Sequence, residues 1–537
     1  MRLAFSLKHM NITGFICFLL FLALVAVVAF YNTRKMRLNT TAAYFMGNRS
    51  LGFWMVGFSL FLTNMSCNVL IGENEFVYTN DMSVMAWGMS SILAMIIVAE
   101  FFLPVYLKMG AVTTPDFLGQ RFGPRLKKFV SIFFLASYVV SLIPTVLYGS
   151  AVALNGIFHV DAALDISYFS AIWLLVILVG IIGCCYTVLG GFKAITISDL
   201  VQGAGLVVGG ILLLGFGLRY LGQGSVVHGI QTILASKKEH LNAIGGTHSP
   251  IPFSTIFTGM FLINLYYWGM EQYIMQQALA ARSLSQGQKG ISLAALGKFL
   301  APLFLNVPGL IAVHLYPHLT NTATVFPKLI GDVLPPVMSG FIAAVVFGAA
   351  ISTFNAGLNS SGTLFIMNLY KQWRRQAGDR ELVKAARIFQ ISLTVMAMCF
   401  SPFISRFNGG FYSYIQKVSS FFSVPVFSVM IVGFLTKKVS EAAATIGLVF
   451  FIITYMLSQL VFDLPLHYLH VVAILFVVTV VLMLVVAKWK PMTTPYTLQN
   501  QAMVDLKPWR SRHWFFLLLL MLMAAAFVLF SKAGLAR

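Results

Sequence analysis

Thr63-Asn64-Met65-Ser66-Cys67-Asn68 interrupts an apolar stretch that runs from Leu51 to Phe76. In lipid every backbone polar group needs an internal partner, so a polar interruption survives only where it lines a cavity or a ligand. Unwinding there frees carbonyl oxygens, good ligands for a hard cation such as Na+, and Asn64, Ser66 and Asn68 add side-chain donors and acceptors. Small polar groups also glue membrane helices together, so this segment alone leaves both readings open. A second segment adds weight to the ion. Gly348-Ala349-Ala350-Ile351-Ser352-Thr353 is rich in small residues that admit a close neighbour. The adjacent Ser352 and Thr353 hydroxyls can present two oxygens to one ion, with the Ala349 carbonyl one turn below. Helical hydroxyls more often bond back to the preceding turn. The combination with an unwound partner makes the pattern informative.

Asn264-Leu265-Tyr266-Tyr267-Trp268-Gly269 is a second interruption, five apolar segments further on. Broken segments at corresponding places in two halves of a chain point to a transporter binding site. Aromatic rings beside amides suit a polyhydroxylated ligand, the rings stacking on C–H surfaces while the amides bond hydroxyls. An aromatic belt at the membrane surface is the plainer alternative, but Asn264 lies well inside its span. Ionisable groups within spans are costly to bury and functional by default. Lys298, Asp199 and Lys417 are of this kind, whereas Glu100 reads as the snorkelling end of its span.

The elements that position these residues follow from composition. The 537-residue chain is 59% hydrophobic and 10% charged, with a mean hydropathy of +0.86. Fourteen apolar runs can each cross a hydrocarbon core of roughly 30 Å. They lie near 11–30, 51–76, 83–107, 129–156, 166–189, 194–216, 255–279, 289–315, 334–369, 385–403, 410–435, 440–461, 466–487 and 513–531. The net charge of +20 is not spread as a nucleic-acid patch would be. If the loop at 31–50 is cytoplasmic, alternate loops carry most of the basic residues, among them Arg34, Lys35, Arg37, Arg125, Lys127, Lys128, Arg374, Arg375, Lys488 and Lys490. This is the positive-inside asymmetry of a polytopic membrane protein, and with fourteen spans it puts both termini outside. Arg2, Lys8 and His9 oppose that orientation. The first run lacks a small-residue cleavage site and reads as a retained helix.

Loops 217–254 and 370–384 are too short to fold as separate domains, so the expectation is one integral membrane domain over 1–537, with no enzymatic or nucleic-acid module. Cys17, Cys67, Cys184, Cys185 and Cys399 lack metal-ligand spacing and read as small core residues. No phosphate-binding loop, zinc motif or nucleophile elbow is present, so no catalytic residue is assigned.

Several of these motifs, in this order, resemble the sodium:solute symporter family, which includes bacterial sodium/galactose and animal sodium/glucose cotransporters. The resemblance covers roughly residues 40–460. It rests on Ala43-Tyr44-Phe45-Met46-Gly47-Asn48-Arg49-Ser50-Leu51, Asn64-Met65-Ser66, Gly190-Gly191-Phe192-Lys193-Ala194 with Asp199 and Gln202, Asn264 to Gly269, and Ser352-Thr353 with Leu358-Asn359-Ser360. It implies an all-α LeuT-like core of two inverted five-helix repeats within about 51–435, flanked by a helix at 11–30 and C-terminal helices over 440–531. It implies Na+ as the coupling ion and no cofactor. The Na+ site would use the carbonyls of Leu62, Met65 and Ala349 with the Ser352 and Thr353 hydroxyls, and Asp199 would stand near the ion's inward exit. Solute contacts would fall on Asn64, Ser91, Asn264, Lys298 and Gln416, with Tyr267 as an inner stacking gate and Trp268 beside it.

Two departures bear on the solute. Val69 stands where the galactose branch has a glutamine, and Gly88 where it has a glutamate. An unpaired solute hydroxyl in a dry site costs about 1–3 kcal/mol, which argues against galactose and for a related sugar or a less hydroxylated solute. Glu73, Asn74 and Glu75 are expected nearer the outer surface. The expected activity is sodium-coupled uptake of a small polar solute, most simply a sugar, across a bacterial inner membrane. Proton coupling, or an organic acid, nucleoside or amino acid as solute, fits the same fold. A channel or sensor is a more distant alternative, and a sensor would normally carry a signalling domain.

Overall fold

The computed structural model describes residues 12–319, 321–406, 411–460 and 465–537, apart from the side chains of 405–406, 411–420 and 460. These residues are almost entirely helical, as a chain immersed in lipid must be when each segment satisfies its own backbone. The apolar helices in chain order are α1 (Ile12–Thr33), α2 (Phe53–Asn64), α3 (Cys67–Thr79), α4 (Met82–Lys108), α5 (Pro124–Phe158) and α6 (Tyr168–Leu221). They continue with α7 (Gly259–Gly269), α8 (Gln272–Leu279), α9 (Leu284–Leu315), α10 (Pro336–Trp373), α11 (Asp379–Ile404), α12 (Phe411–Leu435), α13 (Glu441–Leu460), α14 (Tyr468–Trp489) and α15 (Arg512–Leu529). Among the described residues ten helices are long and apolar enough to cross a membrane, or up to eleven when the bent pair α2–α3 counts as one span. The expectation was fourteen.

The difference has a local cause. The runs expected at 166–189 and 194–216 are counted together as α6, although they are two helical stretches that meet at a kink at Gly191, where φ is 61° and ψ −175°. The run expected at 255–279 is split between α7 and α8, each too short alone to count as a span. Both are places where the sequence breaks helical geometry with glycine or polar residues.

Packing sorts the helices by depth. α10 is the most enclosed, with 83% of its apolar window buried, and α6 lies along it. Small residues allow this approach: a Cβ on Gly183 would come within 2.5 Å of the Phe354 ring, and one on Gly348 within 2.7 Å of the Gln202 side chain. α1 buries only Gly14, Phe18, Val25 and Ala29, a single stripe at helical spacing, while Leu20, Leu24, Val27 and Phe30 are exposed. In a membrane that exposed face meets lipid. The same setting accounts for the cysteines, of which Cys67 is buried, whereas Cys185 and Cys399 are exposed on apolar helix faces rather than in the core.

Glu100, expected at the end of its span, has a charged partner. It sits in a π-helical turn, Val98–Phe102, and binds Arg512 through Nε at 2.7 Å and Nη2 at 3.0 Å, tying α15 to α4. The Gly191 bend is the more consequential constraint, because its dihedrals belong to a region open essentially to glycine and cost other residues about 1–3 kcal/mol. A Cβ there would also stand 3.0 Å from Leu38. Gly191→Ala is therefore expected to lower the melting temperature of the detergent-purified protein, whereas Gly215→Ala, on the same helix with open space around it, should not. Equal melting temperatures for the two variants would refute this account of the bend.

Candidate functional site

The α2–α3 pair bends by 54° at its break. Met65 leaves helical geometry there (φ −78°, ψ 51°), and its N–H still reaches back to the Phe61 carbonyl. The break faces α10. Thr353 Oγ1 donates to the Thr63 carbonyl at 2.8 Å and approaches the Ala349 carbonyl at 3.1 Å. Ser352 Oγ and Thr63 Oγ1 are 3.1 Å apart, and Gln277 of α8 donates to Thr63 Oγ1 at 2.8 Å. Leu62, Met65, Ala349, Ser352 and Thr353 are all buried around this contact. The structure thus gathers every residue expected at the ion, but the direct contact to the α10 hydroxyls is Thr63, which sequence reasoning passed over. Its signal was available: Ser59 and Thr63 stand one helical turn apart and present two hydroxyls on one face.

Ser59 has its own partner. Its hydroxyl donates to Asp199 Oδ2, across from α6, and Asp199 is fully buried. Asp199 Oδ1 makes no hydrogen bond among the described residues, with the Ser352 hydroxyl nearby. Oxygens from α2, α6 and α10 therefore converge on one buried point, a donor set suited to a hard cation.

The other side of the same break opens into a cavity of about 210 Å³. That lies below the roughly 300–1,000 Å³ of drug-sized pockets, so its occupant is small. Asn64, Ser91, Asn264, Tyr267, Trp268 and Lys298, expected from distant parts of the sequence, all line it, as does Thr353. Gln416 lies outside the residues whose side chains are described. Asn64 Nδ2 donates to the Tyr267 hydroxyl at 3.1 Å, linking the two broken helices directly. Asn264 is held by Ser90 Oγ at 2.9 Å, and the Ser91 hydroxyl bonds back to the Gly88 carbonyl at 2.6 Å. Tyr267 meets Trp268 and Tyr273 edge to face, with ring centroids 5.4 Å and 5.9 Å away. Val69 lines the cavity as an apolar wall.

Glu73 departs from expectation. Glu73 is not near the outer surface: it is buried, lines the cavity and accepts a hydrogen bond from Asn306 at 3.2 Å. Asn74 is buried as well, bonded to the Leu70 carbonyl, while Glu75 is partly buried and bonded to Thr322. Glu271, at the break between α7 and α8, also lines the cavity and accepts from the Tyr138 hydroxyl at 2.5 Å.

On the side where α2 begins and α8 ends, hydrogen bonds close the structure. Leu51 N–H donates to the Ala280 carbonyl at 3.2 Å, and Arg282 N–H to the Leu51 carbonyl at 3.0 Å. Arg49 reaches the carbonyls of Leu279 and Ala111 at 2.9 Å and 2.6 Å. Gln276 bonds the Phe45 carbonyl and Thr363, and Ser360 bonds Gln276.

The sodium:solute symporter family model matches residues 44–450. The chain belongs to the sodium:solute symporter family. Family members are transporters rather than enzymes, and they couple the movement of a small solute to Na+ without a cofactor. An uncharacterized symporter of Escherichia coli K12, YidK, is 40% identical over 503 residues, which is 94% of this chain and 88% of that protein. The sodium/glucose cotransporter of Vibrio parahaemolyticus is 27% identical, covering 83% of this chain and 84% of its own. The human sodium/myo-inositol cotransporter 2 is 27% identical, covering 95% and 80%. A solved Na+-coupled sialic acid symporter in a substrate-bound outward-open state superposes with a TM-score of 0.79 at 19% identity, over 90% of this chain and 99% of that one. Mhp1, a nucleobase-cation-symport-1 family transporter solved in a closed conformation, gives 0.55 at 15% identity, over 88% and 97%. At these identities the structural likenesses speak for the fold alone. The symporter is membrane-embedded.

Removal of both α10 hydroxyls separates the two halves of the site. Ser352→Ala with Thr353→Ala is expected to abolish the sodium dependence of solute uptake in proteoliposomes. A normal sodium response in the double variant would refute the ion assignment.

Proposed function

We propose that this symporter drives uptake of a small polyhydroxylated solute, a sugar or a closely related polyol, with the Na+ gradient. One observation carries the reading: a single broken turn, Leu62–Met65, is bonded to Ser352–Thr353 on one side and lines the solute cavity through Asn64 on the other. Na+ would take the carbonyls of Leu62, Met65 and Ala349 and the hydroxyls of Ser352 and Thr353, with Asp199 receiving it on its way out. By pinning α2 to α10 the ion would fix the turn that presents Asn64 to the solute. Coupling requires such differential binding, since an ion that bound all states equally would shift none.

Solute recognition in this reading falls to Asn64, Ser91, Asn264, Lys298 and Gln416, with Tyr267 and Trp268 as the apolar platform. The sugar and inositol relatives support a polyol, and the aromatic–amide lining supports it independently. The architecture is read as fourteen spans, with α6 counted as two and α7–α8 as one, around two inverted five-helix repeats. The hydrogen-bonded side where α2 begins and α8 ends is the inner gate, and alternating access consists of its opening once ion and solute are bound. The basic loops place this gate toward the cytoplasm of a bacterial cell, leaving both termini on the periplasmic face.

The proposal is tested with purified protein in liposomes, using labelled sugars, polyols and acids with Na+ or choline outside and a range of pH. Uptake of a sugar or polyol that collapses in choline and is unchanged by a proton gradient is expected. Uptake that follows the proton gradient in choline would show proton coupling instead, and indifference of every solute to Na+ would reject the reading. Topology has its own check. A cysteine introduced at Lys532, in a cysteine-free background, should react with a membrane-impermeant maleimide in spheroplasts; protection until lysis would put the C-terminus inside.

A further inference from the structure

Two buried charges face the solute cavity without neutralising one another. Glu73 on α3 and Lys298 on α9 both line it, and they are 6% and 5% exposed. They act on each other electrostatically, yet no direct ion pair between them is found among the described residues. Glu73 Oε2 accepts from Asn306, while Oε1 makes no hydrogen bond among the described residues. The Lys298 ammonium likewise has no hydrogen-bond partner among them. Buried charged groups are ordinarily paired and hydrogen-bonded, because leaving their capacity unused is costly. A pair held apart across a cavity is satisfied by what enters between them.

We propose that Glu73 is a solute-contacting residue which, together with Lys298, selects uncharged polyols over solutes that carry a carboxylate; this rests on the cavity being the solute site. A hydroxyl group is the chemistry that can serve both partners, since it donates to the carboxylate and accepts from the ammonium. The remaining lining points the same way. The buried side-chain oxygens of Asn64 and Asn68 also make no hydrogen bond among the described residues, and O–H groups on a ligand supply the protons they lack. A solute carboxylate would gain at Lys298 but meet like charge at Glu73, and the Asn64 and Asn68 oxygens offer it no proton. Glu271 lines the cavity as well, with Oε1 accepting from the Tyr138 hydroxyl, and adds to the like charge that a solute carboxylate would meet.

Gly88 provides a way to test this by moving the charge. A Cβ added there would stand 3.8 Å from Lys298 Nζ, in ordinary contact, so a glutamate at 88 reaches the same ammonium from α4. Full-length protein in proteoliposomes would be assayed under a Na+ gradient with labelled D-glucose, D-galactose, myo-inositol and D-glucuronate. The wild type is expected to take up at least one of the three neutral solutes and to discriminate against glucuronate. Glu73→Gln should raise KM for that neutral solute by about ten-fold or more, the loss of a charge-assisted hydrogen bond. Adding Gly88→Glu in the Glu73→Gln background should bring KM back down. A structural role for Glu73 would not predict that rescue. Should Glu73→Gln fail to give protein that Na+ stabilises against heat, Glu73→Asp is read in its place, with the same expected rise in KM.

A wild-type KM in the Glu73 variants overturns the proposal. So does Na+-driven uptake of glucuronate in preference to the neutral solutes, which would leave sodium coupling intact. No Na+-driven uptake of any of the four overturns the choice of substrate class, and if choline substitution is also without effect on a wider panel, the transport reading falls with it.

Discussion

A backbone inside lipid has nowhere to hide an unpaired carbonyl, and the break at Thr63–Met65 exists because other parts of the chain complete it. α10 supplies the Thr353 hydroxyl to the Thr63 carbonyl, α8 supplies Gln277 to the Thr63 hydroxyl, and α6 holds the preceding turn through Asp199 and Ser59. Three helices distant in sequence are thus required to meet at one turn. Their close approach depends in turn on the glycines that let α6 lie against α10 and on the bend at Gly191 that brings Asp199 to α2.

In the proposed function the same break is what couples ion to solute. Asn64 belongs to the turn whose neighbour Thr63 touches α10, and it reaches Tyr267 on the other broken helix. A change in how α2 meets α10 therefore moves an amide that faces the solute cavity. No long-range relay is needed, since one residue separates the two contacts. On the side where α2 begins, Arg49 on the Leu279 and Ala111 carbonyls adds a second set of contacts between elements distant in sequence.

Charge in this interior is arranged by pairing. Glu100 is answered by Arg512 on the last helix, Glu271 by Tyr138, and Asp199 by Ser59. Arg121 is buried with no carboxylate, but it donates to the carbonyls of Gly433, Thr436 and Val439 and lies against the Phe122 and Tyr496 rings. Glu73 is answered by Asn306, whereas Lys298, which lines the same cavity, has no hydrogen-bond partner or ion pair among the described residues.

The sequence by itself determined the membrane setting and the helical class, because nearly every long run is apolar and lipid permits little else. It also located both broken helices and most of the residues that line the cavity, since polar and aromatic groups inside apolar runs stand out whatever surrounds them. It also placed a division between 189 and 194, where the structure bends at Gly191, because two glycines and a lysine interrupt the apolar run there. Thr63 was passed over because its role lies in contacts to residues more than two hundred positions away. Glu73 was misplaced for the same reason: three charged or amide residues in a row look like a helix end, and only the packing of the tertiary structure shows that Glu73 and Asn74 are buried. Composition decides which segments enter the membrane, whereas the facing of a buried side chain is a property of its neighbours, and those only the tertiary structure supplies.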